Sequence, residues 1–140
     1  MNNVDRAVAC FREGFSCSQA ILSTYGRELG MDKDMALGVS GSFGGGMASM
    51  AETCGAVTGA FMVIGLKYGK TKADDEEAKK KTYVLVREFV DRFKSRNGSI
   101  VCRELLGYDI SIPEGMKAVK REEAHRHPVP AVCRRRRRDP

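Results

Sequence analysis

The stretch SMAETCGAVTGAFMVIGLKY, residues 49–68, decides the fold. Within it Cys54, Val57, Phe61, Ile64 and Tyr68 recur at intervals of three and four, the spacing of one helical face. Gly55 and Gly59 stand one turn apart on a second face, where missing side chains let another backbone come close. Each such glycine costs about 1 kcal/mol of helix stability relative to alanine, so packing or function has to offset it. A helix that is apolar on nearly every side belongs in the interior. Ser49 and Glu52, at S-x-x-E spacing, have the form of a capping box just ahead of it.

Upstream, Asn3 can cap a helix over Val4–Arg12 that Gly14 ends, and Ser16 can cap a second over Cys17–Leu29 that Gly30 ends. A short third helix, Lys33–Val39, dissolves into Ser40–Gly46. Downstream, Gly69–Ala73 is a turn, and Asp74–Glu77 places acids at the start of a long fifth helix, where the macrodipole favours them. Tyr83, Val86, Val90 and Phe93 form its expected buried stripe, with Phe89 alongside, and Asn97-Gly98 stops it. Ser99–Leu106 is a short sixth helix carrying Cys102, and Gly115–His125 a weak, highly charged one. No strand is expected. The predicted fold is all-α: a compact bundle of five to six helices around a buried glycine-rich central helix. The domain covers residues 1–126, and 127–140 form a basic tail expected to be disordered.

A chain of 140 residues, 42% hydrophobic and 30% charged, suits one globular domain. Its net charge of +6 is concentrated at one end. Residues 133–140 hold five arginines and one aspartate, and the remainder carries 19 basic against 17 acidic groups. A nearly neutral body with sparse aromatics and no Trp argues against nucleic acid as a partner. The most apolar run, Cys54–Leu66, is too short to span a bilayer. Asp5, Arg6, Arg12 and Glu13 stand where a secretory signal needs apolar residues. The expectation is a cytoplasmic protein without membrane insertion. In a reducing compartment, five cysteines read as thiols, metal ligands or redox groups before structural disulfides.

Cysteine is therefore the leading candidate for chemistry. Cys17 falls in the first turn of its helix, where backbone N–H groups favour a thiolate. Cys54 heads the glycine-rich helix, and Cys102 lies in another short helix. None belongs to a CxxC pair, so spacing specifies neither zinc nor a thioredoxin-like site. All three also suit small buried hydrophobes, and Cys10 reads as core. The run Ser40–Gly46 lacks the preceding strand and following Lys-Ser/Thr of a nucleotide loop. It reads as a link between helices, or as a source of N–H donors from Gly44, Gly45, Gly46 and the nearby Gly55 toward sulfur or a cluster beside Cys54. Glu52 is near enough to Cys54 to act as a base, although capping accounts for it. His125 and His127, the only histidines, lie in a charged segment and are not expected to bind metal.

Four blocks of residues together resemble a known family. They are Phe15-Ser16-Cys17-Ser18-Gln19-Ala20, Phe43-Gly44-Gly45-Gly46-Met47, Cys54-Gly55-Ala56-Val57-Thr58-Gly59-Ala60, and Asn97-Gly98-Ser99 through Cys102-Arg103-Glu104-Leu105-Leu106-Gly107. In order and with few gaps, they are similar to the small redox-active proteins named for a C_GCAxxG_C_C pattern. The resemblance covers roughly residues 1–115. It implies a helical domain with four key cysteines and an electron-transfer or iron–sulfur role. Cys17, Cys54 and Cys102 occupy three of the four positions, and Cys133 is the C-terminal candidate for the fourth.

The tail departs from that family, which ends in an amphipathic helix of Asp-Ala-Ala-Glu-Ile-Leu character, whereas this chain ends in Arg134–Arg138 and Asp139-Pro140. CGN arginine codons read one base later become GNC codons for Asp, Ala, Val or Gly, so a frameshift accounts for the run. In that frame the Val129-Pro130 codons yield a cysteine, and Cys133 is then not the fourth ligand. The competing reading is a solvated or nucleic-acid-binding basic tail. The resemblance thus implies a protein gathering Cys17, Cys54, Cys102 and a C-terminal cysteine at one iron–sulfur site, with zinc as the alternative metal. A cofactor-free thiol/disulfide protein and a helical interaction module with structural cysteines are the other readings. A redox partner protein is implied, its identity open, and a homodimer is admitted.

Overall fold

The computed structural model describes residues 2–125. The expectations for residues 127–140, and for Cys133 within them, lie outside the described residues. The described chain forms seven α-helices: α1 Asn3–Arg12, α2 Cys17–Glu28, α3 Lys33–Ser40, α4 Gly55–Tyr68, α5 Glu76–Asn97, α6 Cys102–Leu106 and α7 Pro113–His125. A 3-10 turn, Gly41–Phe43, follows α3. The fold is all-α, and an isolated antiparallel bridge between Thr53 and Val101 is the extent of strand pairing among the described residues.

Local chemistry explains where most helices begin and end. Asn2, one residue ahead of the expected cap, accepts from the Asp5 N–H and starts α1. Ser16 caps α2 in a full capping box with Gln19, and Asp32 caps α3 by accepting from the Met35 N–H. Asp75 does the same for α5 through the Ala78 N–H, and Gly98, at φ +89°, ends that helix in the left-handed conformation glycine tolerates.

The Ser49–Glu52 capping box does not form. Ser49 lies in a left-handed stretch at φ +60°, and α4 instead starts at Gly55 behind Cys54, with no side-chain cap. Glu52 turns away to pair with Arg103 at 2.6 Å.

The main core lies where α2 meets α4. A Cβ on Gly55 would stand 3.0 Å from the Ser18 backbone N, and one on Gly59 would stand 3.0 Å from Ile21 Cβ and 3.1 Å from Ser18 O. The two glycines are thus the notch into which α2 fits. Around the contact, Ala20, Ile21, Ala56, Val57 and Phe93 are buried together with Ala7 and Cys54. Along α4, Gly55–Ala60 are buried, whereas Phe61, Val63, Ile64 and Tyr68 are only half-buried and Leu66 is exposed. On α5, Phe93 is buried and stacks on Phe89, but Tyr83 faces outward. Phe89 fits this inward line, reaching Phe61 edge-on across the α4–α5 hairpin at 6.3 Å. A second, smaller cluster joins Ala51, Cys102 and Ile110 to Leu106, Met116 and Val119 of α6 and α7.

Gly59→Val places a branched side chain against the backbone of α2, and overpacking of that kind costs about 1–3 kcal/mol. Urea denaturation should show this loss. Gly65→Ala, where an added Cβ meets nothing within 4 Å, should instead gain about 0.5–1 kcal/mol from helix propensity.

Candidate redox site at the glycine loop

The segment from Gly44 to Cys54 carries the least ordinary backbone in the protein. Gly45, Gly46, Met47, Ala48, Ser49 and Ala51 all have positive φ. For a non-glycine residue that conformation costs about 1–2 kcal/mol, so four of them need compensation. Part of it is a set of backbone bonds that close the loop on itself: Ser49 N–H to Gly44 O at 3.0 Å, Ala51 N–H to Gly45 O at 3.2 Å and Glu52 N–H to Gly46 O at 2.9 Å. The expected loose link is therefore a folded, left-handed loop.

The loop is fastened at both ends. At its exit the Cys54 N–H donates to Ile100 O at 2.8 Å, and the Cys102 N–H donates to Glu52 O at 2.5 Å, flanking the Thr53–Val101 bridge. Arg103 holds the same place, donating through Nε to Ala51 O at 3.0 Å and pairing with the Glu52 carboxylate. At its entrance α2 and α3 are tied together. The Ser18 hydroxyl donates to Ser40 O at 2.9 Å, and Gln19 Nε2 donates to Leu37 O at 3.0 Å. These bonds give Ser18, Gln19 and Arg103 concrete work around the cysteines.

Three of the candidate cysteines meet this loop, each at the start of a helix. Cys17 is the first residue of α2, half-buried, with its Cβ 3.4 Å from where a Gly55 Cβ would lie. Cys54 is the N-cap of α4 and 7% exposed. Cys102 is the first residue of α6, also 7% exposed, and a Cβ on Gly46 would fall 2.6 Å from its own Cβ. Cys54 and Cys102 each directly follow a residue of the bridge. Cys17 and Cys54 belong to the main core, and Cys102 to the smaller cluster. Cys10 is half-buried with its Sγ 3.6 Å from Ser23 Oγ, away from the loop, as a core residue would be.

The candidate glycines have a steric part here. A Cβ at Gly44 would strike Ser16 Cβ at 2.6 Å, and one at Gly45 would strike Ser49 Oγ at 2.8 Å. Gly46 and Gly55 make the corresponding approaches to Cys102 and Cys17. Burial pushes the Cys102 thiol above its ordinary range, Asp109 adding slightly and Arg103 opposing, so this sulfur is a protonated thiol at neutral pH. Among the described residues no disulfide joins two cysteines. No three His, Cys, Asp or Glu side chains among them are grouped to hold a metal ion. The described cysteines do not by themselves fit a metal or cluster.

Sequence reasoning offered the cysteines and glycines as candidates and did not single out Arg103 as the clamp. The signal was available only as its place directly after Cys102.

Gly46→Ala combines a contact far inside van der Waals range with φ +71° and should cost about 2–4 kcal/mol. Iodoacetamide should then modify Cys102 faster, whereas in the wild-type chain it reacts more slowly than in denaturant. Because the folded pKa of Cys102 is raised, its contribution is full below the ordinary thiol pKa and lost as pH rises through the folded value. Cys102→Ala should remove that part of the alkaline loss of stability.

No helix among the described residues is long and apolar enough to cross a membrane. No curated protein and no solved structure matches the chain. A family model described as Putative redox-active protein (C_GCAxxG_C_C) matches residues 15–137, a span that contains the loop, its fastenings and all three cysteines beside it. The chain belongs to that family.

Proposed function

We propose that the protein handles electrons at the glycine loop through the sulfurs of Cys17, Cys54 and Cys102. The observation that supports this reading most is the shared environment of the three. Each begins or caps a helix and adjoins one strained loop, with a glycine at the point of contact for two of them. A left-handed run costing several residues their preferred conformation is retained where the surrounding structure fixes it, and such runs concentrate at functional sites.

In the finer form of the proposal, the cysteines are thiolate ligands of an iron–sulfur cluster, whose one-electron chemistry is the cluster's own when bound. Cys133, beyond the described residues, is the candidate fourth ligand. The same set would suit zinc. Backbone N–H groups of Gly44, Gly45, Gly46 and Gly55 are the proposed donors that tune the sulfurs. The chain's own part is to bury Cys54 and Cys102, to hold the loop with Arg103, and to keep the Cys102 proton on Sγ until a ligand displaces it. The sharing of one apolar cluster by Cys17 and Cys54 favours a second form, in which these two form a reversible disulfide and a partner dithiol supplies the electrons. Both forms place the protein in the cytoplasm with a redox partner protein.

Anaerobic purification followed by iron and acid-labile sulfide analysis separates the two forms. The cluster reading expects both elements, with loss of both on Cys17→Ser, Cys54→Ser or Cys102→Ser and retention on Cys10→Ser. Absence of both elements, together with a reversible change of two thiols per chain, would select the disulfide form. A chain showing neither the two elements nor a reversible change of thiols would overturn the proposal.

A further inference from the structure

Between α1, α2, α4 and α5 lies a groove of about 570 Å³. That is the size of a small-molecule site, and such sites are mostly apolar with a few polar groups at defined points. Its walls include half-buried Val63 and Ile64 of α4 and half-buried Leu85 and Phe89 of α5. On α5, Leu85, Phe89, Arg92 and Arg96 all line it and follow at intervals of four, three and four. One face of the helix therefore supplies first an apolar wall and then two guanidinium groups.

The groove has two unlike ends. Helices α4 and α5 are antiparallel neighbours in which Phe61 meets Phe89 and Tyr68 meets Lys81. Ile64, Tyr68 and Leu85 thus stand at one end of the groove, and Ala60, Arg92 and Arg96 at the other. At the first end the Lys67 and Lys81 ammonium groups lie over the Tyr68 ring and do not line the groove. Glu88 lines the stretch between the ends, so an anionic group is disfavoured there and favoured beside the arginines. Among the described residues neither Glu88 nor Arg92 is engaged in an ion pair. From Leu85 to Arg96 the helix rises about 16 Å, the length of a medium-chain alkyl group with its head. A guanidinium matches a carboxylate through two parallel N–H···O bonds, and methylenes suit the apolar walls.

We propose that this groove binds a single-chain amphipathic carboxylate, with the alkyl chain along Val63, Ile64 and Leu85 and the head on Arg92 and Arg96. None of Cys17, Cys54 and Cys102 lines the groove, and the proposal does not depend on how they carry electrons.

The test is isothermal titration calorimetry of the full-length chain with decanoate below its micelle concentration, with circular dichroism to confirm that each variant is folded. One decanoate should bind per wild-type chain. Arg92→Gln should weaken decanoate about fivefold, the worth of one exposed ion pair, and leave the binding of decanol unchanged. Val63→Trp and Leu85→Trp each fill the groove without altering its charge, and either should abolish binding of both probes. Decylammonium bound as tightly as decanoate, or decanol and decanoate weakened alike by Arg92→Gln, would overturn the proposal. A wild-type chain that binds no decanoate would overturn it as well. So would undiminished binding by folded tryptophan variants, which would assign the ligand to arginines outside the groove.

Discussion

The approach of α4 to α2 is the constraint from which the rest of the structure follows. It is possible because Gly55 and Gly59 present no side chain to Ser18 and Ile21. The same approach brings the two helix starts, and hence Cys17 and Cys54, into one core. Glycine costs helix stability in water; here the burial of Ala20, Ile21, Ala56 and Val57 offsets that cost. One contact therefore sets both the fold and the placement of two of the three sulfurs.

The third sulfur depends on a different device. Cys102 reaches the loop because residues 51–54 and 100–103 are pinned together by three backbone bonds and by the Arg103 side chain. The left-handed run ahead of that seam shortens the path from α3 to α4 and brings Gly46 against Cys102. A chain that accepts Met47, Ala48, Ser49 and Ala51 at positive φ does so against their intrinsic preference. The bonds and packing on either side offset that cost, so the loop's conformation is set by its fastenings rather than by the preferences of its own residues.

Much of this was legible beforehand. The all-α class, the main helices and the glycine notch follow from periodicity, capping residues and the C-G-A-V-T-G-A block, because each rests on local chemistry or a short spacing. The misreadings came from tertiary contacts. Ser49-x-x-Glu52 has capping-box spacing, but the loop that turns Ser49 left-handed is held by bonds to distant residues, and Glu52 finds Arg103, about fifty positions away. Tyr83 fits an apolar stripe by spacing, yet the inward line of α5 runs through Phe89 and Phe93. The Thr53–Val101 bridge joins two single residues, too little to leave any alternation in the sequence.

The central claim is that the electrons reside at Cys17, Cys54 and Cys102, whatever holds them there. Anaerobic coulometric titration of the purified chain tests it most directly, by counting electrons accepted and returned. The account predicts reversible uptake by the wild-type chain, retained in Cys10→Ser and lost in a variant with Ser at positions 17, 54 and 102. A wild-type chain that accepts no electrons, or a triple variant that accepts as many as the wild type, would contradict it.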